Sequence, residues 1–349
     1  MKEKKYTIKD IAALAGVSKG TVDRVLHKRG KVSKKALDAI NNVLKKIDYQ
    51  PNLIARNLKI NKTYHICVLI PDPNEDPYWQ YCVDGINEAV KEFKPLGIFI
   101  QTFYFSPNST KSFLDINKTI LELSPDAVLL TPLFYKETLK IIDKYSTLNT
   151  IVSTFNNQIN STQVANFVGQ DLYKSGRVAA RLMHLITPDA SEIFIIHFDE
   201  ILNNALHMQE KEKGFRSYFD NLDSGNYKIT THKIKDSDFE ENLTKLLAKN
   251  SEVTGVFVTT SKTFKVASSI KKNKTTNIKL IGYDLLDENI HFLNEGIIHF
   301  LINQNPKGQT YFSLTYLIEH FLFDKNIPIQ KLLPIDIVNA ENLSSYLNN

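Results

Sequence analysis

Residues 7–26 read TIKDIAALAGVSKGTVDRVL, and residues 32–59 read VSKKALDAINNVLKKIDYQPNLIARNLK. Thr7 and Asp10 stand at the spacing of a capping box, in which a hydroxyl and a carboxylate each satisfy a backbone N–H left over at a helix start. Ile8, Ile11, Ala12, Leu14 and Ala15 follow as an apolar stripe at helical period. Gly16 marks the stop, because a residue without Cβ enters the left-handed region freely. Ser18 is placed to cap a second helix, with Val22, Val25 and Leu26 inward and Lys19, Gly20, Thr21, Asp23 and Arg24 outward. Two short helices joined by a tight turn containing glycine make a helix-turn-helix. A third helix, entered after Gly30 and capped by Ser33, places Ala36, Leu37, Ile40, Val43, Leu44 and Ile47 over the first two. So small a module buries little surface and is marginal by itself.

Charge is divided unevenly along the 349 residues, whose net value is only +5. Residues 1–62 hold 16 Lys and Arg against 5 Asp and Glu, and the remainder holds 27 against 33. A short basic end on an acidic body is the electrostatic footprint of phosphate binding, although charge alone also fits a solvated face. Part of the order of this module is therefore expected to come from DNA. Cys67 and Cys82 match no metal spacing and read as free buried thiols of a reducing compartment. No apolar signal region or membrane-length run is present, so a cytoplasmic protein without membrane contact is expected.

The quoted run, with its AGVS turn and its YQPN-x-x-A-x-x-L segment, closely resembles the head of the lactose-repressor (LacI/GalR) family. The resemblance implies that the second helix enters the major groove, with Thr7, Ser18, Lys19, Gly20, Thr21 and Arg24 as DNA contacts. Arg24 has the geometry for a bidentate contact to guanine, and Lys19 serves base or phosphate alike. Asp23 departs from the small hydroxyl residue usual in the family; it either accepts from a cytosine amine or pairs with Arg24. Beyond Pro51, Asn52 is a good N-cap, yet a helix ending at Leu58 is too short to persist alone in water. The resemblance implies paired hinge helices in the minor groove, with Ala55 allowing close approach and Leu58 as the apolar wedge. An ordinary linker is the alternative.

From Tyr64 onward, β-type runs alternate with helix-type runs: HICVLI, IFIQTFYF, DAVLL and NTIVSTF, then EIFIIHF, YKITTHKI, GVFVTT and IKLIGYD. Alternation of this kind implies parallel sheets with right-handed crossovers, and two cycles imply two lobes. The expected fold is thus an all-α helix-turn-helix head (1–50), a hinge and linker (51–63), and an α/β body of two doubly wound parallel-sheet lobes (64–349). In such sheets ligands bind at the carboxyl ends of strands. Polar and aromatic residues cluster there, at Asp76 to Trp79, Thr131, Asn156-Asn157, His197-Phe198, Thr259 to Ser261 and Asp284. His197 is either a site residue or a satisfied buried group.

The body resembles the type I periplasmic sugar-binding fold through GINEAV, FVGQDLYKSGRVAARLM, KGF, IGYD, INQNP and PIDIVNAEN. The resemblance implies an effector between the lobes, with Tyr78 and Trp79 sandwiching it beside Asp76. Thr131, Asn156, Asn157, Asp171, Lys211, Thr260, Asp284 and Gln304 complete the expected set. Asn156-Asn157 stands where ribose- and galactose-type binders often carry Asp-Arg, and Lys211 where an Arg is common. No nucleophile motif, phosphate loop or metal cluster is present, so no catalytic residue, cofactor or metal is expected. The expectation is a homodimeric transcriptional regulator that binds a pseudopalindromic operator on double-stranded DNA and answers to a small effector, a sugar by resemblance.

Overall fold

The computed structural model describes residues 6–26, 30–47, 49, 63–189, 191–198, 206–222, 227–250, 252–273 and 277–347. The expected hinge residues Asn52, Ala55 and Leu58 lie outside them. The chain divides into two compact units, Met1–Ile60 and Asn61–Asn349.

The first unit holds α1 (Ile8–Ala15), α2 (Lys19–Leu26) and α3 (Lys34–Lys46). The capping box at Thr7 forms: Oδ2 of Asp10 accepts from the Thr7 N–H at 2.8 Å, and Oγ1 of Thr7 accepts from the Asp10 N–H at 3.3 Å. Gly16 closes α1 in the left-handed region at φ 64°. Ser33 caps α3 through the Ala36 N–H. Ile11, Ala12, Val22 and Ile40 form the buried centre. Leu14 and Leu37, expected inward, are 56% and 39% exposed. At roughly 100° per residue, Leu14 falls about a quarter-turn away from the face made by Ile8, Ile11, Ala12 and Ala15, and Leu37 sits at the margin of its stripe.

The second unit begins with β1 (Tyr64–Pro71), α4 (Tyr78–Phe93), β2 (Ile98–Phe105), α5 (Thr110–Leu123), β3 (Ala127–Leu130), α6 (Tyr135–Thr147), β4 (Ile151–Phe155) and β5 (Val164–Gly169). It continues with α7 (Leu172–Ile186), β6 (Glu192–Phe198), α8 (Leu206–Asp220), β7 (Lys228–Ile234), α9 (Phe239–Lys249), β8 (Val253–Val258), α10 (Thr263–Lys272), β9 (Lys279–Tyr283), α11 (Asp287–Asn294) and β10 (Phe300–Asn303). Then come α12 (Pro306–Phe323), β11 (Gln330–Leu332) and β12 (Asp336–Val338).

One sheet runs β11-β5-β4-β3-β1-β2 and the other β12-β10-β9-β8-β6-β7, so the two lobes repeat one strand order. All pairings are parallel except β10 with β12. Ile66, Val68 and Ile70 pack on one face of the first sheet, and Cys67 and Leu69 on the other, as a period of two requires of a strand covered on both sides. Both cysteines are buried and unbonded, and burial pushes the Cys67 thiol up to about 12. No helix among the described residues is long and apolar enough to cross a membrane.

The chain passes between lobes three times: after β5, after β10, and between β11 and β12. Gln170, in the first passage, ties the other two to it. Its Nε2 donates to the Asn303 carbonyl at 2.9 Å and to the Pro334 carbonyl at 2.6 Å.

Candidate functional site

A cavity of about 410 Å³ opens between the lobes, walled from both sides by residues at or just beyond strand ends. From the first lobe come Asp76, Tyr78 and Trp79 after β1, Phe134 after β3, and Asn156 and Asn157 after β4. From the second come Phe198 at the end of β6, Lys211 on α8, Thr259 to Lys262 after β8, and Asp284 after β9, with Gln304 in the second passage.

The two lobes place matching residues at matching points. Asn156 directly follows β4 at φ 66°, and Asp284 directly follows β9 at φ 64°. Each backbone N–H reaches the neighbouring strand, Asn156 to the Val168 carbonyl and Asp284 to the Ile302 carbonyl. Asn and Asp tolerate this region better than other side chains with a Cβ, and left-handed residues held by their surroundings gather at ligand sites. The left-handed turn aims each side chain into the cleft. Asn156 Nδ2 donates to the Tyr78 hydroxyl. Asp284 accepts from Gln304 twice, at Oδ2 from the side-chain amide at 2.7 Å and at Oδ1 from the backbone at 3.1 Å.

Lys211 sits on the floor because α7 and α8 approach unusually closely. A Cβ on Gly176 would lie 1.9 Å from the Lys211 carbonyl oxygen, and one on Gly214 would lie 1.9 Å from that of Tyr173. Only paired glycines permit this contact. The Lys211 ammonium donates to the Thr259 carbonyl at 3.0 Å and lies 3.5 Å from the centre of the Tyr283 ring. Burial pulls it down to about 8, against the nearby Asp284 charge, and burial raises Asp284 to about 6 against Lys211 and the Gln304 bonds. Withdrawal from water also raises Asp76, against the bond it accepts from the Tyr78 N–H and the field of Lys262.

Nine of the eleven residues expected in the effector site line this cavity: Asp76, Tyr78, Trp79, Asn156, Asn157, Lys211, Thr260, Asp284 and Gln304. Tyr78 and Trp79 meet edge to face, 4.9 Å apart at 90°, so they form one wall and not the two sides of a sandwich. Thr131 does not line it; the residue is buried at the end of β3 with its hydroxyl unpartnered, and Leu133 and Phe134 reach the cleft in its place. Asp171 caps α7, accepting from the Lys174 N–H at 2.9 Å, and faces an adjoining cavity of about 260 Å³. His197 is a satisfied buried group: one ring nitrogen meets Thr259 and the other Glu212, each at 2.7 Å. Glu212 is held down at about 2 although burial opposes it, by hydrogen bonds from His197, Thr231 and Arg216.

Sequence reasoning missed Glu75, Phe134, His207, Lys235 and Lys262. Lys262 directly follows the Thr259 to Ser261 run and was open to the strand-end argument. Phe134 and His207 carry no such signal, since each sits at a helix start.

In the head, Lys19, Gly20 and Arg24 are exposed on α2. The Ser18 and Thr21 hydroxyls lie 2.9 Å apart, and the Thr21 N–H donates to Ser18 at 3.2 Å. The Thr7 hydroxyl donates to Asp10 at 2.7 Å, so it is engaged in the cap.

A model of the periplasmic binding protein domain matches residues 66–323, and one of bacterial regulatory proteins of the lacI family matches residues 7–52. The chain belongs to the periplasmic-binding-protein domain family, with a head that matches the lacI family of bacterial regulatory proteins. It is similar to the HTH-type transcriptional repressor PurR of Haemophilus influenzae, 27% identical over 191 residues, which are 54% of each chain. The ribose operon repressor of Lactococcus lactis is 40% identical over 86 residues, 25% of this chain and 26% of that protein. The chain thus spans about half the length of the first relative and about a quarter of the second. Among solved structures, one of a LacI transcriptional regulator from Bacteroides fragilis superposes at TM-score 0.76 and 27% identity, over 82% of this chain and 100% of that one. A glucose-galactose binding protein from Geobacillus stearothermophilus shares the fold at TM-score 0.70 and 21% identity, over 81% and 99% of the two chains.

Proposed function

We propose that this chain is a cytoplasmic, sequence-specific DNA-binding repressor, not an enzyme, whose operator affinity is set by a carbohydrate-like effector held between the lobes. The observation that carries the reading is the cavity of about 410 Å³, with aromatic, amide and carboxylate groups converging on it from both lobes, on a chain that also carries a lacI-type head. Tyr78 and Trp79 offer the apolar face of a sugar a wall. Asn156, Asn157, Thr260, Asp284 and Gln304 supply paired donors and acceptors for hydroxyls, with Asp76 and Lys211 as charged partners.

Residues 1–50 form the DNA-binding head in this reading and 51–63 the hinge. Lys19, Gly20 and Arg24 approach base edges in the major groove, while Thr7, Ser18 and Thr21 meet the backbone. Asn52, Ala55 and Leu58 act in the minor groove. Paired hinges require a homodimer and a pseudopalindromic site.

The effector shifts the balance between lobe arrangements, and the hinge converts that shift into order or disorder. Such coupling is reciprocal. A thermal-shift panel of ribose, arabinose, glucose and galactose identifies a ligand, and its affinity is then measured with and without operator DNA. Operator DNA is expected to change effector affinity by the same factor, in the same direction, as the effector changes operator affinity, and an effector affinity indifferent to DNA overturns the mechanism. Leu58→Ser is expected to weaken operator binding far more than nonspecific binding; equal losses remove the wedge.

A further inference from the structure

Behind the main cavity lies the second one, of about 260 Å³, which includes Tyr135, Gln158, Gln330 and Glu210 in its walls and borders the Gln170 passage. Asn157 from lobe one and His207 from lobe two line both cavities and so form a neck between them. Two polar atoms on these walls are buried and unpartnered, Oε1 of Gln170 and Nδ1 of His207. Gln170 is only 3% exposed, and its amide nitrogen is already committed to the other two passages. A buried acceptor without a donor is costly and calls for an occupant. Burial, with help from Lys211, holds His207 down at about 3, so it enters as a neutral ring.

Among the described residues, the walls of the second cavity hold two carboxylates, Asp171 and Glu210, several amides, and no Lys or Arg. That set repels anions and suits hydroxyl donors. Alone, this volume falls below the about 300–1,000 Å³ usual for a ligand site, whereas joined to the first it lies well inside that range.

We propose that the effector is a two-ring carbohydrate, with one ring on the Tyr78 and Trp79 wall and the second passing Asn157 and His207 to donate to Gln170. The inference rests on the carbohydrate-effector reading above. It gives the second ring a regulatory place, because Gln170 joins all three passages between the lobes and a bond to its free oxygen bears on all of them.

The test titrates the full-length chain calorimetrically with glucose, galactose, ribose and arabinose, and with maltose, trehalose, cellobiose and lactose. Gln158→Trp and Gln330→Trp, both at exposed positions that line only the second cavity, serve as blocking variants. Unchanged unliganded melting checks their fold. At least one disaccharide is expected to bind tenfold or more tighter than its monosaccharide units, and either blocking variant is expected to erase that advantage while sparing monosaccharide affinity. Monosaccharides that bind as tightly as any disaccharide, or blocking variants without effect, overturn the two-ring inference alone and leave the second cavity to ordered water. Failure of every sugar to bind overturns the carbohydrate reading with it.

Discussion

In the head, Ile11, Ala12, Val22 and Ile40 are the whole of the fully buried apolar cluster among the described residues, whereas each sheet of the body is covered on both faces by its own buried layer. The head is held by helix caps, one left-handed glycine and a few side chains. The body is held by long parallel pairings and paired glycines that lock α7 to α8. The proposed regulation suits this inequality: each lobe of the body would keep its own geometry while the lobes shift against each other, and the head would gain order from the DNA it binds. Ile40→Ala tests this most severely. A buried Ile-to-Ala change costs about 2–5 kcal/mol, and a module of this size rarely holds more than about 3–5 kcal/mol. Operator binding is expected to vanish and the head's amide protection with it, while the body's melting and effector titration stay put. A body transition that falls in step would end the comparison.

Within the body, the corresponding stress point is Asp284. Its carboxyl, pushed up to about 6 from an ordinary 3.8, holds a proton in the native state that the unfolded chain releases earlier. This group therefore favours folding at low pH, and its contribution is lost as pH rises from about 4 through about 6. Effector binding has the opposite slope, since the ionised carboxylate accepts from hydroxyls. Affinity is expected to fall about tenfold per unit below pH 6 at the limit of a single titrating group. Asp284→Asn is expected to cost about 1.5–3 kcal/mol of effector affinity, as loss of a bond to a charged group does. It is also expected to flatten that pH dependence without touching DNA binding by the unliganded protein. A mutant that keeps the wild-type pH slope would take Asp284 out of the site.

The same contrast governs what was legible in the sequence. Capping at Thr7 and Ser33 and the stop at Gly16 are local, and all three form as read. Strands covered on both faces announce themselves as apolar runs, and β1 to β4 and β6 to β9 fall where those runs stand. The strand Val164–Gly169 enters the sequence reading only through its last three residues, which open the run FVGQDLYKSGRVAARLM, and Gln330–Leu332 and Asp336–Val338 are three-residue edge strands whose pairing comes from the opposite end of the fold. Strand ends located most of the cleft. Thr131 and Asp171 escaped that rule, because one side chain turns into the core and the other serves its own helix start. The neck residue His207 was illegible, for only lobe-to-lobe geometry brings it to Asn157.

A smaller effect separates base reading from positioning within the head. Arg24, exposed on α2, is expected to lose about 1–3 kcal/mol of discrimination as Arg24→Ala, the worth of one bidentate guanine contact. Lys19→Ala is expected to weaken all sequences alike if the ammonium serves phosphate, and to reduce the salt slope by about one. Binding to the operator and to a scrambled duplex across a salt series distinguishes the two. An Arg24 variant that loses both duplexes equally would reassign it to the backbone.

The smallest perturbation sharpens the contrast between the units most directly, because a hydroxyl cap can be removed in each. Thr7 caps α1 in the head, and Ser109 caps α5 in the body by accepting from the Ser112 N–H at 3.1 Å. Replacing such a cap by alanine costs about 0.5–2 kcal/mol wherever it is made. Each loss of about 1 kcal/mol moves a melting point by about 4–8 °C in a domain of 60–100 residues and about 2–4 °C in one of 150–250 residues, because the entropy of unfolding grows with size. Thr7→Ala is therefore expected to shift the head's transition at least twice as far as Ser109→Ala shifts the body's, in the absence of DNA. Added operator should raise the head's transition and leave both the body's transition and the Ser109→Ala shift alone, since only the head draws stability from that ligand. Equal shifts, or an operator effect on both, would mean that the two units melt as one and that the marginal head is not where regulation acts.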